Sequence, residues 1–143
     1  IALLDIDTPE CFQAYDMENA DINYFTTAFD MYSLKKGVEI LGAITTPIPM
    51  IKVLFSKGIV KGDEQYLNFL TQNLPVVWEE QSIYFMYSES DMDAFKENYK
   101  VERIKFRNLS SAYKTGLSSV LMYIFPNYKI NDFIKLMKSI DKG

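Results

Sequence analysis

The chain has 143 residues, 48% hydrophobic and 15% aromatic, with a net charge of −4. That length and apolar content exclude wholesale disorder and suffice for one globular domain, residues 1–143, without disulfides or a metal. There is no histidine and a single cysteine, Cys11, which excludes Ser-His-Asp and Cys-His catalysis, histidine zinc sites and an intramolecular disulfide.

Charge is arranged in blocks. Residues 1–30 carry seven acids and no base, and residues 31–62 carry five lysines against Glu39. Residues 63–102 carry nine acids against two lysines, and residues 103–143 eight bases against two acids. The blocks therefore run −7, +4, −7 and +6. Folding either pairs opposite blocks, which neutralises them, or leaves an acidic block outward to meet a basic partner. Ten Tyr and ten Phe supply large buried areas, and the tyrosine hydroxyls also suit a protein-binding surface.

In chain order, Leu3 to Ile6 reads as a short strand or an extended arm. Thr8 caps a short helix that starts at Pro9 and ends around the acidic run Asp16 to Asp21. Asn19 to Ile44 reads as one long helix, or two with a break at Gly37, capped by Asn19 or Asp21. Ile22, Phe25, Phe29 and Tyr32 make one stripe of it, and Met31, Leu34, Val38 and Leu41 a second. The apolar middle of the chain, Thr46 to Val60, reads as a buried helix. Thr46 is its cap, Pro47 its first residue, and Pro49 still lies in the first turn. Ile48, Ile51, Leu54, Phe55 and Ile59 follow at helical spacing, and Gly58 and Gly62 are candidate stops. Glu39, Lys52, Lys57 and the two prolines interrupt the run too often for a membrane span.

Asp63 caps the next helix, which places Tyr66, Leu67, Leu70 and Leu74 on one face and stops at Pro75. Ile83 to Tyr87 and Arg103 to Arg107 predict two strands around a short helix capped by Asp91, with helix throughout as the rival. Asn108 or Ser110 opens the clearest long helix, whose buried face is Leu109, Tyr113, Leu117, Val120, Leu121 and Ile124, and Pro126-Asn127 ends it. The last helix, Ile130 to Ile140, turns Ile130, Phe133, Ile134, Met137 and Ile140 inward. The predicted fold class is α+β, mainly α. Five to six helices form a compact bundle around residues 47–57, with a small two-stranded element at 82–107. All-α is the alternative.

Neither G-x-x-x-x-G-K-[ST] nor G-x-G-x-x-G occurs. The carboxylates from Asp5 to Asp21 lack the spacing of a calcium loop and read as caps and a solvated face, so no metal or cofactor is predicted. Ser88 to Asp93 is a second acidic knot, either a helix N-terminus that favours negative charge or a docking loop. Arg103, Lys105 and Arg107, followed by Lys114, Lys129, Lys135 and Lys138 among Tyr113, Tyr123 and Tyr128, make a weak nucleic-acid pattern. The acidic total counts against it, and no nucleic-acid partner is expected.

These features predict a non-enzymatic protein-binding module, in concrete form a small acidic inhibitor or immunity-type protein that covers a basic partner. The binding carboxylates would be Asp16, Glu18, Asp21, Glu89, Asp91 and Asp93. The alternative is a helical protein that binds a lipid or apolar ligand, or lies on a membrane surface, through Gly37–Val60 and Val120–Phe125. The lone cysteine points to the cytoplasm, with a periplasmic or secreted location after signal removal as the alternative.

Overall fold

The stretch expected to form the central helix is instead the longest strand of a sheet. The computed structural model describes residues 1–15, 17–58 and 61–142. In it β2, Ile48–Ser56, buries Ile48 and then every residue from Met50 to Leu54. A strand covered on both faces shows no alternation, so its continuous apolar run satisfies helical spacing as well as strand spacing. Pro47 and Pro49 and the branched Ile48, Ile51 and Val53 settle the competition for the extended chain. Thr46 caps no helix, and its hydroxyl donates to the Glu18 carboxylate. Ile59 and Val60, the end of the expected helix, lie outside the described residues.

Six helices and four strands are present among the described residues. In chain order they are α1 Pro9–Ala14, a short 3-10 turn Met17–Asn19, β1 Tyr24–Ala28, α2 Met31–Leu41, β2, and α3 Lys61–Thr71. β3 Val76–Trp78, β4 Ile83–Met86, α4 Glu89–Lys100, α5 Ser111–Ile124 and α6 Ile130–Ile140 complete them. The sheet is mostly parallel, with β2 between β1 and β3 and with β4 also paired to β2. β2 and β3 run parallel in the register Ile48 to Val76 and Met50 to Trp78. The protein is therefore mixed α/β. Neither the expected mainly helical bundle with a two-stranded element nor the all-α alternative describes it.

The corrections have local causes. Asn19 to Ile44 is β1 followed by α2. Phe25 and Phe29, four apart, imitate a helical stripe, but Phe25 and Thr27 are buried alternately as a strand requires. Asp30 is the true cap, accepting from the Ser33 N–H at 2.9 Å. Gly37 does not break α2. A Cβ there would stand 2.6 Å from the Phe25 ring, so the glycine lets the helix lie against β1. Gly62, read as a stop, lies inside α3, and Asp63 falls in its first turn. β4 coincides with the expected strand at 83–87. Its expected partner at Arg103–Arg107 is a loop, and β3 was not anticipated. The short helix is capped by Ser88, with Asp91 three residues into it. α1, α5 and α6 start at Pro9, Ser111 and Ile130 as their caps and spacing predict.

The chain forms two compact units. The first comprises residues 1–54 and 60–82, the second residues 55–59 and 83–143. Phe12, Phe25, Leu34, Leu41, Ile44, Ile48, Met50, Leu54 and Leu67 make the core of the first. Leu54 and Leu67 have no exposed surface, and burying a leucine fully contributes about 1.5–3 kcal/mol. In the second unit Phe55 stacks on Phe85 at 4.6 Å, and Tyr113 sets its ring edge-on to Phe85 and Phe95, each at 5.0 Å. Gly116 of α5 lies where a Cβ would be 3.1 Å from the Phe85 ring and the Tyr84 carbonyl, so α5 packs directly on β4. No described helix is long and apolar enough to cross a membrane.

Candidate functional site

The predicted binding carboxylates divide between the units. Glu18 and Asp21 belong to the first and are exposed. Asp16 lies outside the described residues. They continue a wider acidic surface: Asp5, Asp7, Glu10 and Asp30 are exposed as well. None of these carboxylates forms an ion pair among the described residues. Large apolar side chains are exposed in the same segment, notably Tyr15, Met31 at 70% and Tyr32 at 76%.

Glu89, Asp91 and Asp93 sit in the first turns of α4, in the second unit. Glu89 and Asp93 are exposed, and Asp93 meets Lys96 within the helix at 3.4 Å. Asp91 is different, because it has no exposed surface. One carboxylate oxygen accepts from the Ser88 N–H and hydroxyl, both at 2.8 Å, and the other from the Ser110 N–H at 2.6 Å. Burial pushes its carboxyl up, but the Ser110 and Ser88 hydrogen bonds outweigh burial and hold it below the usual range. Asp91 thus ties the start of α4 to the start of α5. The Ser88-x-x-Asp91 spacing of a capping box was legible in the sequence, whereas the bond to Ser110 was not.

One buried charge was missed. Lys52, on the core side of β2 between Met50 and Leu54, meets Glu64 of α3 at 2.8 Å. Its ammonium also stands 5.4 Å from the centre of the Trp78 ring, and the Ser82 hydroxyl donates to Glu64. The signal was a single lysine inside an apolar run, which must find a partner once buried. Among the described residues no group of three or more Cys, Asp and Glu side chains converges as a metal site would.

The cationic residues gather in the second unit. The segment Val101–Ser110 carries Arg103, Lys105 and Arg107 and is pinned at several points. The Asn98 side chain accepts from the Lys105 N–H at 3.0 Å and donates to its carbonyl at 3.4 Å. The Phe106 N–H donates to the Asp141 carboxylate at 2.7 Å, and Leu109 is buried. At its start Glu102 takes a left-handed φ of 50°. The Arg103 N–H then reaches the Asn98 carbonyl at 3.2 Å and the Glu102 N–H the Tyr99 carbonyl at 3.3 Å, the Schellman closure of α4. Two cavities, of about 430 and about 270 Å³, lie against this loop. No family model, curated protein or solved structure matches the chain.

Proposed function

We propose that the protein is a non-enzymatic protein-binding module, a small acidic inhibitor or immunity-type protein that covers a basic partner with the N-terminal surface of its first unit. One observation carries the reading. Every described acid in residues 1–30 is exposed, none is in an ion pair among the described residues, and Tyr15, Met31 and Tyr32 are exposed beside them in sequence. Uncompensated charge of one sign steers a partner of the other, and exposed aromatic and Met side chains supply the apolar contact that charge alone lacks. Glu18 and Asp21 are the central carboxylates of this reading. Glu89 and Asp93 are secondary, because Asp93 is paired with a cation, Lys96, whereas Glu18 meets the neutral Thr46 hydroxyl, and Asp91 belongs to the framework. A single cysteine supports a reducing, cytoplasmic compartment.

Affinity capture on the immobilised chain, at low and at moderate salt, tests this. The expected result is one stoichiometric basic protein that is lost as salt rises, is lost from E18Q/D21N, and is largely retained by E89Q/D93N. A partner held equally by E18Q/D21N and the native chain refutes the acidic interface.

A further inference from the structure

The second unit holds a feature that the acidic-surface reading does not use. The larger cavity is floored by Phe106, Ile134 and Met137, and the smaller is walled by Arg103, Lys105 and Arg107. The two share Arg107, Asp141 and Lys142 and so adjoin, the larger lined mainly by apolar surface and the smaller by cations; the adjoining pair is the recess, with an apolar and a cationic end. Ile134, Met137, Lys138 and Asp141 recur at the three- and four-residue spacing of one face of α6, with Asp141 just past its end, which explains the gradient from apolar to charged.

Counting Lys114, Lys138 and Lys142, six cations meet one carboxylate there. None of the six is in an ion pair among the described residues. Lys138 and Lys142 have a structural duty, since cations complement the carbonyl end of α6. Asp141 has one also, holding the Phe106 N–H. Arg103, Lys105 and Arg107 have no such duty: they belong to a loop fixed through its backbone, and three cations facing the single Asp141 carboxylate leave a positive excess that an anion would complement.

We propose that this recess binds a phosphate monoester bearing an apolar group. The phosphate lies among Arg103, Lys105 and Arg107, and the apolar group lies on Phe106, Ile134 and Met137. A dianion matches the charge excess better than a carboxylate, and two guanidinium forks suit its oxygens. The apolar end alone, about 430 Å³, lies at the small end of the usual range for ligand pockets, which fits a short chain or a single ring there.

Calorimetric titration of the whole chain at fixed ionic strength, with inorganic phosphate and with ethyl, butyl and hexyl phosphate, tests the assignment. Affinity should rise about threefold to fourfold for each methylene that enters the apolar end. R103Q/R107Q changes two exposed side chains. It should weaken hexyl phosphate about tenfold or more while leaving the circular dichroism spectrum and urea midpoint unchanged. A flat response along the series overturns the proposal, as does equal affinity in the double variant. Displacement of hexyl phosphate by a single-stranded oligonucleotide, with the series flat, overturns it in favour of nucleic acid. Flotation with phosphatidic acid vesicles assigns the source. Co-flotation lost in R103Q/R107Q identifies a phospholipid head, and hexyl phosphate binding without co-flotation identifies a soluble ester, each in support.

Discussion

Replacing Asp91 by Asn tests the central structural claim about the second unit with a change of one charge and almost no volume. The carboxylate accepts three hydrogen bonds of 2.6–2.8 Å in a site with no exposed surface. An amide has one acceptor oxygen. If it keeps the Ser88 pair, its NH2 group faces the Ser110 N–H, so two donors oppose each other and the Ser110 N–H loses its acceptor. Losing one charge-assisted bond costs about 2 kcal/mol and the orphaned donor about 1–3 kcal/mol more, so D91N should lose roughly 3 kcal/mol. The sign with pH follows from the depressed carboxyl. A pKa held below its unfolded value contributes stability that is present above the unfolded value and is lost as pH falls through the folded one. The gap between native and D91N should therefore be widest near neutral pH and close as acid protonates Asp91. Urea unfolding of both proteins, from about pH 7 down to about pH 2, measures it. A gap below about 1 kcal/mol at neutral pH, or one that stays constant into acid, would refute the reasoning. Tyr113 gives a second reading: burial first, and then the Asp91 charge, push its hydroxyl up. In D91N it should ionise at lower pH, seen by ultraviolet titration.

In the pair Lys52–Glu64 the lysine is buried and the glutamate half-buried. K52M leaves Glu64 without its cation and should cost about 1–3 kcal/mol, less than in a fully buried pair, whereas K52M/E64L should be close to neutral, both read by urea unfolding. G37A forces a Cβ to 2.6 Å from the Phe25 ring. The overpacking cost of about 1–3 kcal/mol should exceed the helix-propensity gain of about 1 kcal/mol, and adding F25L should restore the loss in a double-mutant cycle. Glu102 holds a left-handed φ at a position glycine favours, so E102G should raise stability by about 0.5–1 kcal/mol. A lower urea midpoint in E102G would contradict the assigned backbone.

What was legible depended on whether local rules had a competitor. α6 was readable because Ile130, Phe133, Ile134 and Met137 recur at helical spacing among polar neighbours, and α5 because Ser110 is a strong cap before a long run. β2 was not, because Ile48 to Leu54, Lys52 apart, is apolar on both faces and leaves no period to read. There the deciding signs were Pro47, Pro49 and branched side chains, which the cap-and-proline rule for helix starts also claims. The alternating Arg103 to Arg107 looked like a half-buried strand, yet its backbone is held by Asn98 and by Asp141, a contact 35 residues away. Of the candidate site residues, Glu18, Asp21, Glu89 and Asp93 are exposed as their charge implied. Asp91 is buried because its capping geometry and the Ser110 amide together replace the water it gives up.

Charge segregation links the two binding readings. The sequence allowed the alternating blocks either to cancel on folding or to stay apart. Among the described residues one ion pair, Lys52–Glu64, joins a basic block to an acidic one, and Lys96–Asp93 and Lys100–Glu97 lie within a single helix. Among the described residues the N-terminal acids and the 103–142 cations are thus uncompensated by direct ion pairing. Such charge opposes compaction through self-repulsion, and the cost falls when a ligand of opposite sign arrives. The acidic surface and the cationic recess should therefore respond separately. E18Q/D21N should remove the salt-sensitive protein partner and leave hexyl phosphate binding intact, and R103Q/R107Q should do the reverse. Loss of both activities in either variant would overturn the separation of the two readings.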